Sequence, residues 1–171
     1  MKWIMSLIIL LIISGCKQNT VYIRTHNTDM LIEQIVLSSV VYNTHYSLPD
    51  SIEPPILIYR YSDLMCEGCV FEDLENLKDF QKEIGKDRIL VLADFNNFRI
   101  NMVRHRYELE SFNYRILPTK SLIIPVNETE GLKPYFALLN SDFKLEMVFF
   151  PKKGFNEITQ AYLKEVEKRL L

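Results

Sequence analysis

Cysteine is scarce in this chain, and the three present are unevenly placed at Cys16, Cys66 and Cys69. No second cysteine pair exists, and His26, His45 and His105 are scattered. A zinc site needs about four ligands, so no metal is expected. The chain also lacks an arginine-rich run or a basic face. Its 20 Lys and Arg stand against 22 Asp and Glu, a net charge of −2. That balance gives nucleic acid no electrostatic footprint. No apolar run is long enough to cross a bilayer as a mature helix. The longest one near the start, Ile4 to Ile13, is short and broken by Ser6. Internal repeats and low-complexity segments are absent, so the 171 residues read as one domain behind a short leader.

The leader is the first thing that is present. Met1-Lys2-Trp3 is a short basic start, and the apolar stretch after it has the length of a signal-peptide core. Ile13-Ser14-Gly15-Cys16 then places small residues directly before a cysteine. This resembles the lipobox of bacterial lipoproteins. The resemblance implies removal of residues 1–15, lipidation of Cys16, and a lipid-anchored protein of the bacterial cell envelope, with its periplasmic face as the expected side. Residues 16–28 are polar and read as a tether, and 29–171 as the folded domain.

Cys66-Glu67-Gly68-Cys69 carries the chemistry. With Cys16 lipidated, these two thiols are the remaining pair. A disulfide closing so short a loop removes little chain entropy, so the spacing argues for reactivity over stapling. Ile56 to Tyr61 is an apolar run bounded by Pro54-Pro55 and Ser62-Asp63, a buried strand. Val70, Leu74, Leu77, Phe80 and Ile84 then recur at helical spacing, with Glu67, Glu72 and Asp73 early and Gly85 as the stop. Cys66 thus opens a helix, at the positive end of its dipole, where a thiolate is favoured.

Arg88 to Asp94 reads as a second buried strand, giving a parallel strand–helix–strand unit. Asp29 to Val36 is expected as a short helix and Val40 to Leu48 as a strand. Asn96 to Glu110 is expected as a helix with Phe98, Met102, Val103 and Tyr107 inward, which leaves His105 between Arg104 and Arg106 on a wet face. Tyr114–Leu117 and Ser121–Val126 are short strand-like pieces, followed by a polar loop over Asn127–Lys133. Pro134–Leu139 and Lys144–Phe150 are strands joined by a turn, and Phe155–Leu171 is an amphipathic helix through Ile158, Tyr162, Val166 and Leu170. The expected fold class is α/β, a central mixed sheet with helices on both faces.

The strand before Cys66, the CxxC, the element order and a proline opening the late hairpin together resemble the thioredoxin-like superfamily. The nearest likeness is to membrane-anchored thiol–disulfide oxidoreductases and redoxins of bacterial envelopes. The likeness spans residues 52–171. It implies that Cys66 attacks a partner protein's disulfide and that Cys69 resolves the mixed disulfide, with no cofactor. It also implies that Pro134 is cis and lies beside the cysteines; Leu117-Pro118-Thr119 is the competing candidate. Several residues depart from the family. Met65 stands where Trp is usual, and the CxxC has no proline. Arg60 replaces the buried carboxylate six residues before the first cysteine, leaving Asp63 or Glu67 as possible proton acceptors. Asp63, in place of Thr or Ser, argues against peroxide reduction. The charge of Glu67 would disfavour the Cys66 thiolate, a lean toward a reductant. These departures keep a second reading open, a thioredoxin-fold lipoprotein serving as a non-catalytic binding module.

Overall fold

Seven consecutive residues from Ile56 to Ser62 are buried in the central strand, because neighbours cover it on both sides and on both faces. A continuous apolar run is what such a position requires. The structure is a computed structural model that describes residues 42–43, 52–62, 65–95, 102–117 and 133–171. The strands are β1 (Tyr42–Asn43), β2 (Ile56–Ser62), β3 (Ile89–Asp94), β4 (Asn113–Leu117), β5 (Tyr135–Leu139) and β6 (Lys144–Phe149). The helices are α1 (Glu67–Ile84), α2 (Met102–Leu109) and α3 (Asn156–Leu170). A short 3₁₀ turn, Lys86–Arg88, joins α1 to β3.

The six described strands form one sheet in the order β1-β6-β5-β2-β3-β4. β2 and β4 both run parallel to β3. β5 is antiparallel to β2 and to β6, and β1 is antiparallel to β6. The sheet is therefore mixed, and the fold class is α/β as expected. The hydrophobic spacing in α1 does what it implies: Val70, Leu74, Leu77 and Phe80 are buried and Ile84 packs against them. Gly85 ends the helix at φ 88°, a left-handed conformation that costs glycine least, and its N–H still reaches the Gln81 carbonyl at 2.9 Å.

Leu57, Tyr59 and Tyr61 of β2 face α1 and α3, with Phe136 and Leu138 of β5 and Tyr162, Leu163, Val166 and Leu170 of α3 in the same core. α2 joins that face through Leu109. The other face of the sheet gathers Ile52, Ile56, Ile58, Leu90, Leu92, Tyr135, Ala137, Leu139 and Leu145. All three described helices lie on the first face, so helices on both faces are not seen among the described residues. The expected helix over 29–36, the strand-like piece over 121–126, Pro118, Asp63 and Cys16 lie outside the described residues.

Two local readings are corrected. α2 does not turn Tyr107 inward: that ring is 77% exposed. His105 is the inward residue, 4% exposed rather than on a wet face. Its ring lies 5.5 Å from Phe71, 5.4 Å from Phe95 and 5.7 Å from Tyr61, and its Nδ1 is 3.5 Å from the Tyr61 hydroxyl. An imidazole stacks on aromatic rings well enough to serve as core. The strand β6, expected from the sequence, is irregular. Phe136 pairs with Phe149 while Leu138 pairs with Glu146, so β6 carries one extra residue. Met147 takes φ 53° there, and its carbonyl accepts the Tyr162 hydroxyl at 2.8 Å. The bulge moves Met147 and Phe149 to the first face although Leu145 lies on the second.

Candidate redox site

β2 delivers the chain to the start of α1 through a tight turn, in which the Met65 N–H reaches the Ser62 carbonyl at 3.1 Å. Cys66 is the residue just before the helix, with φ −58° and ψ 109°. Its carbonyl accepts the N–H groups of Cys69 at 2.9 Å and Val70 at 3.1 Å, so it begins the helical ladder without being inside it. Its side chain is exposed, and Cys69, one turn in, is half-buried; both are free thiols. The sequence expectation of an outer and an inner cysteine at a helix start matches this placement.

Their environments push the two thiols apart. Cys66 is held below the ordinary thiol value, first by a hydrogen bond from the Cys69 side chain and then by the Cys69 backbone N–H, with a further contribution from the Lys153 cation. Cys69 is pushed up to about 11, mainly by burial, then by its hydrogen bond to Cys66 and the Cys66 charge. The charge of Lys153, from the loop between β6 and α3, favours thiolate at both sulfurs. The leading charge on Cys66 is thus Lys153 and not Glu67. Eighty-four residues of chain or more separate Lys153 from the cysteines, too far for any local pattern to connect them.

Beneath Cys69 lies a carboxyl that sequence reasoning counted only as an early helix acid. Asp73 follows Cys69 by four residues on α1, so the two share one helix face. It is 5% exposed, and the Tyr59 hydroxyl of β2 donates to its Oδ2 at 2.8 Å. Burial raises the Asp73 carboxyl to about 7, with the Glu72 charge adding to the rise and the Tyr59 bond opposing it. Tyr59 itself is pushed well above its usual value by burial and by Asp73. One signal could have revealed this residue: Asp73 falls between Val70 and Leu77 on the apolar stripe of the helix, where a solvated acid has no place.

Arg60, where the family pattern has a carboxylate, lies on the opposite side of β2 with Ile58. Its guanidinium meets Asp94 Oδ2 at 3.0 Å, and both side chains are buried. Tyr135 stands opposite Arg60 across the β2–β5 pair, which brings Pro134 to the end of the sheet where β2 leads into Cys66. The proline is in the expected region, but its peptide bond is not cis. The cis bond among the described residues joins Pro54 to Pro55. Among the described residues, no three His, Cys, Asp or Glu side chains gather to hold a metal ion. Compared with known proteins, the chain matches no family model and no curated protein.

Proposed function

We propose that this protein is a thioredoxin-like thiol–disulfide oxidoreductase that exchanges disulfides with partner proteins through Cys66 and Cys69. The observation that carries the reading is the division between the two thiols. The exposed sulfur is the one favoured as thiolate, and the inner one is held as thiol. Attack needs an accessible thiolate, and resolution needs a nearby thiol that ionises later. Cys66 thiolate attacks a partner disulfide, and one partner sulfur leaves as thiolate. Cys69 then attacks the Cys66 sulfur of the mixed disulfide. The second partner sulfur leaves, the Cys66–Cys69 bond forms, and the partner is reduced by two electrons. The sheet end carrying Lys133 and Pro134 lies beside this helix start and offers backbone to an extended partner segment.

A Cys69→Ser variant should hold partners as mixed disulfides that survive non-reducing gel electrophoresis and release on reduction. Wild type and Cys66→Ser should hold none. Trapping by Cys66→Ser instead would reverse the two roles. Failure of the wild-type protein to speed insulin reduction by dithiothreitol would favour the non-catalytic binding module.

The same reading places the domain at the bacterial cell envelope, anchored through a lipidated Cys16 at the end of the Ile13-Ser14-Gly15-Cys16 stretch. Intact-mass spectrometry of protein purified from membranes should find an N-terminal Cys16 carrying acyl chains. An unmodified Met1 start, or a soluble product cut elsewhere, would overturn the anchor.

A further inference from the structure

We propose that Asp73, held by the Tyr59 hydroxyl four residues beyond Cys69 on the same helix face, accepts the Cys69 proton in the resolving step. The inference rests on the redox reading of the cysteine pair and deepens it. Cys69 cannot attack as a thiol, and its burial works against ionisation. A base placed under it removes that obstacle. Asp73 is the buried carboxyl on α1 that meets the requirement: Cys69 and Asp73 are helix neighbours, and their charges repel one another enough to raise Cys69. The Asp73 charge is the smallest of the contributions to Cys69, so it is the shared helix face and the burial of both groups that make Asp73 the near acceptor for the Cys69 proton.

The step balances. Asp73 carboxylate takes the proton from the Cys69 sulfur and becomes a neutral acid. The Cys69 sulfur uses the freed electron pair to attack Cys66, and the Cys66–partner bond breaks with its pair leaving on the partner sulfur. The proton on Asp73 then passes to solvent or to the departing thiolate. Tyr59 stays neutral throughout, since burial and Asp73 hold its proton on, and its hydroxyl fixes the carboxyl by one oxygen. Other groups around the site are accounted for. Glu72 on α1 adds a like charge, and Lys153 from the β6–α3 loop acts on the thiols. His105 of α2 sits against Tyr61 and Phe71, and the Tyr162 hydroxyl of α3 is turned to the Met147 carbonyl. A carboxyl titrating near 7 makes resolution pH-gated: below that value Asp73 already holds a proton and cannot take another.

The two steps can be read in one trace. Reduced full-length protein is mixed in stopped flow with the aryl disulfide dithiobis(nitrobenzoate), whose released thiolate absorbs visible light. Attack by Cys66 releases the first thiolate, and resolution by Cys69 releases the second. In the wild type the second release should rise with pH through an inflection near 7. Asp73→Asn should slow the second release by about tenfold or more at pH 8 and move its inflection up toward the Cys69 thiol's own value, the first release serving as reference within the same trace. Tyr59→Phe, which removes the hydrogen bond that favours the carboxylate, should move the inflection upward. A merely structural role would not shift it. An Asp73→Asn second release with wild-type rate and inflection overturns the proposal, and so does equal slowing of both releases. If wild type gives no release at all, the redox reading fails and takes this inference with it.

Discussion

Replacing Asp94 with alanine should destabilise the domain by about 3–5 kcal/mol, the cost of taking away the carboxylate that a buried guanidinium meets. Arg60 and Asp94 are 1% and 4% exposed, and the guanidinium meets the carboxylate at 3.0 Å. Arg60 lies near the end of β2, opposite Leu92 of β3 and Tyr135 of β5, so it is covered by strands on both sides. Such a cation has almost no contact with water. Removing Asp94 takes away the Coulombic gain while the desolvation cost of Arg60 stays, and the asymmetry makes the loss large. The companion variant distinguishes pair energy from crowding. Arg60→Met with Asp94→Leu removes both charges and keeps apolar volume, so it should recover most of the loss. Urea unfolding of both variants measures this. A loss of under about 1 kcal/mol in Asp94→Ala would mean that the pair behaves like a surface ion pair despite its burial.

The Arg60–Asp94 pair also shows where sequence reading stops. Arg60 could be seen to depart from the family pattern, yet its partner lies 34 residues away at the end of another strand, and only the β2–β3 register joins them. By contrast, β2, α1, β3 and α3 were legible because each carries its burial in its own spacing. β2 is covered on both faces and reads as an apolar run interrupted by Arg60; α1 and α3 bury one stripe and read with a helical period. α2 was legible as an element but not in its phase. The inward positions include His105 and Leu109, and a pattern search that counts histidine as polar rotates the helix toward Tyr107. The bulge at Met147 was invisible for a different reason. Strict alternation puts Leu145, Met147 and Phe149 on one face, and one extra residue sends the last two to the other. At the candidate site the cysteines were plain from their spacing, whereas the charge of Lys153 acts on them only through the fold. Pro134 illustrates the limit of resemblance: strand pairing brought it to the expected end of the sheet, but its bond is not cis.

The same logic applied to Asp73 gives an opposite sign. Asp73→Asn should stabilise the reduced domain at pH 8 and have little effect near pH 4. Burial raises the folded-state carboxyl to about 7, well above its unfolded value. Below the unfolded value, near 4, both states hold the proton and the group is neutral to stability. Between about 4 and 7 the folded protein keeps a proton that the unfolded chain has released, so stability falls as pH rises. Above 7 the buried carboxylate carries its full penalty, roughly 4 kcal/mol as an upper limit at 1.36 kcal/mol per pKa unit. Asparagine is the same size and still offers a carbonyl oxygen to the Tyr59 hydroxyl, so it removes the charge and keeps the bond. The variant should therefore gain a few kcal/mol at pH 8, and that gain should shrink steadily as pH drops to 4. Urea unfolding across that range, with both cysteines kept reduced, gives the difference directly. A variant less stable than wild type by the same amount at every pH would show that Asp73 is not held against its charge. If the gain appears, the protein keeps at this position a carboxylate that costs it stability at neutral pH. A structural role does not explain that choice, since asparagine would fill the same space at lower cost, whereas a proton acceptor under Cys69 does.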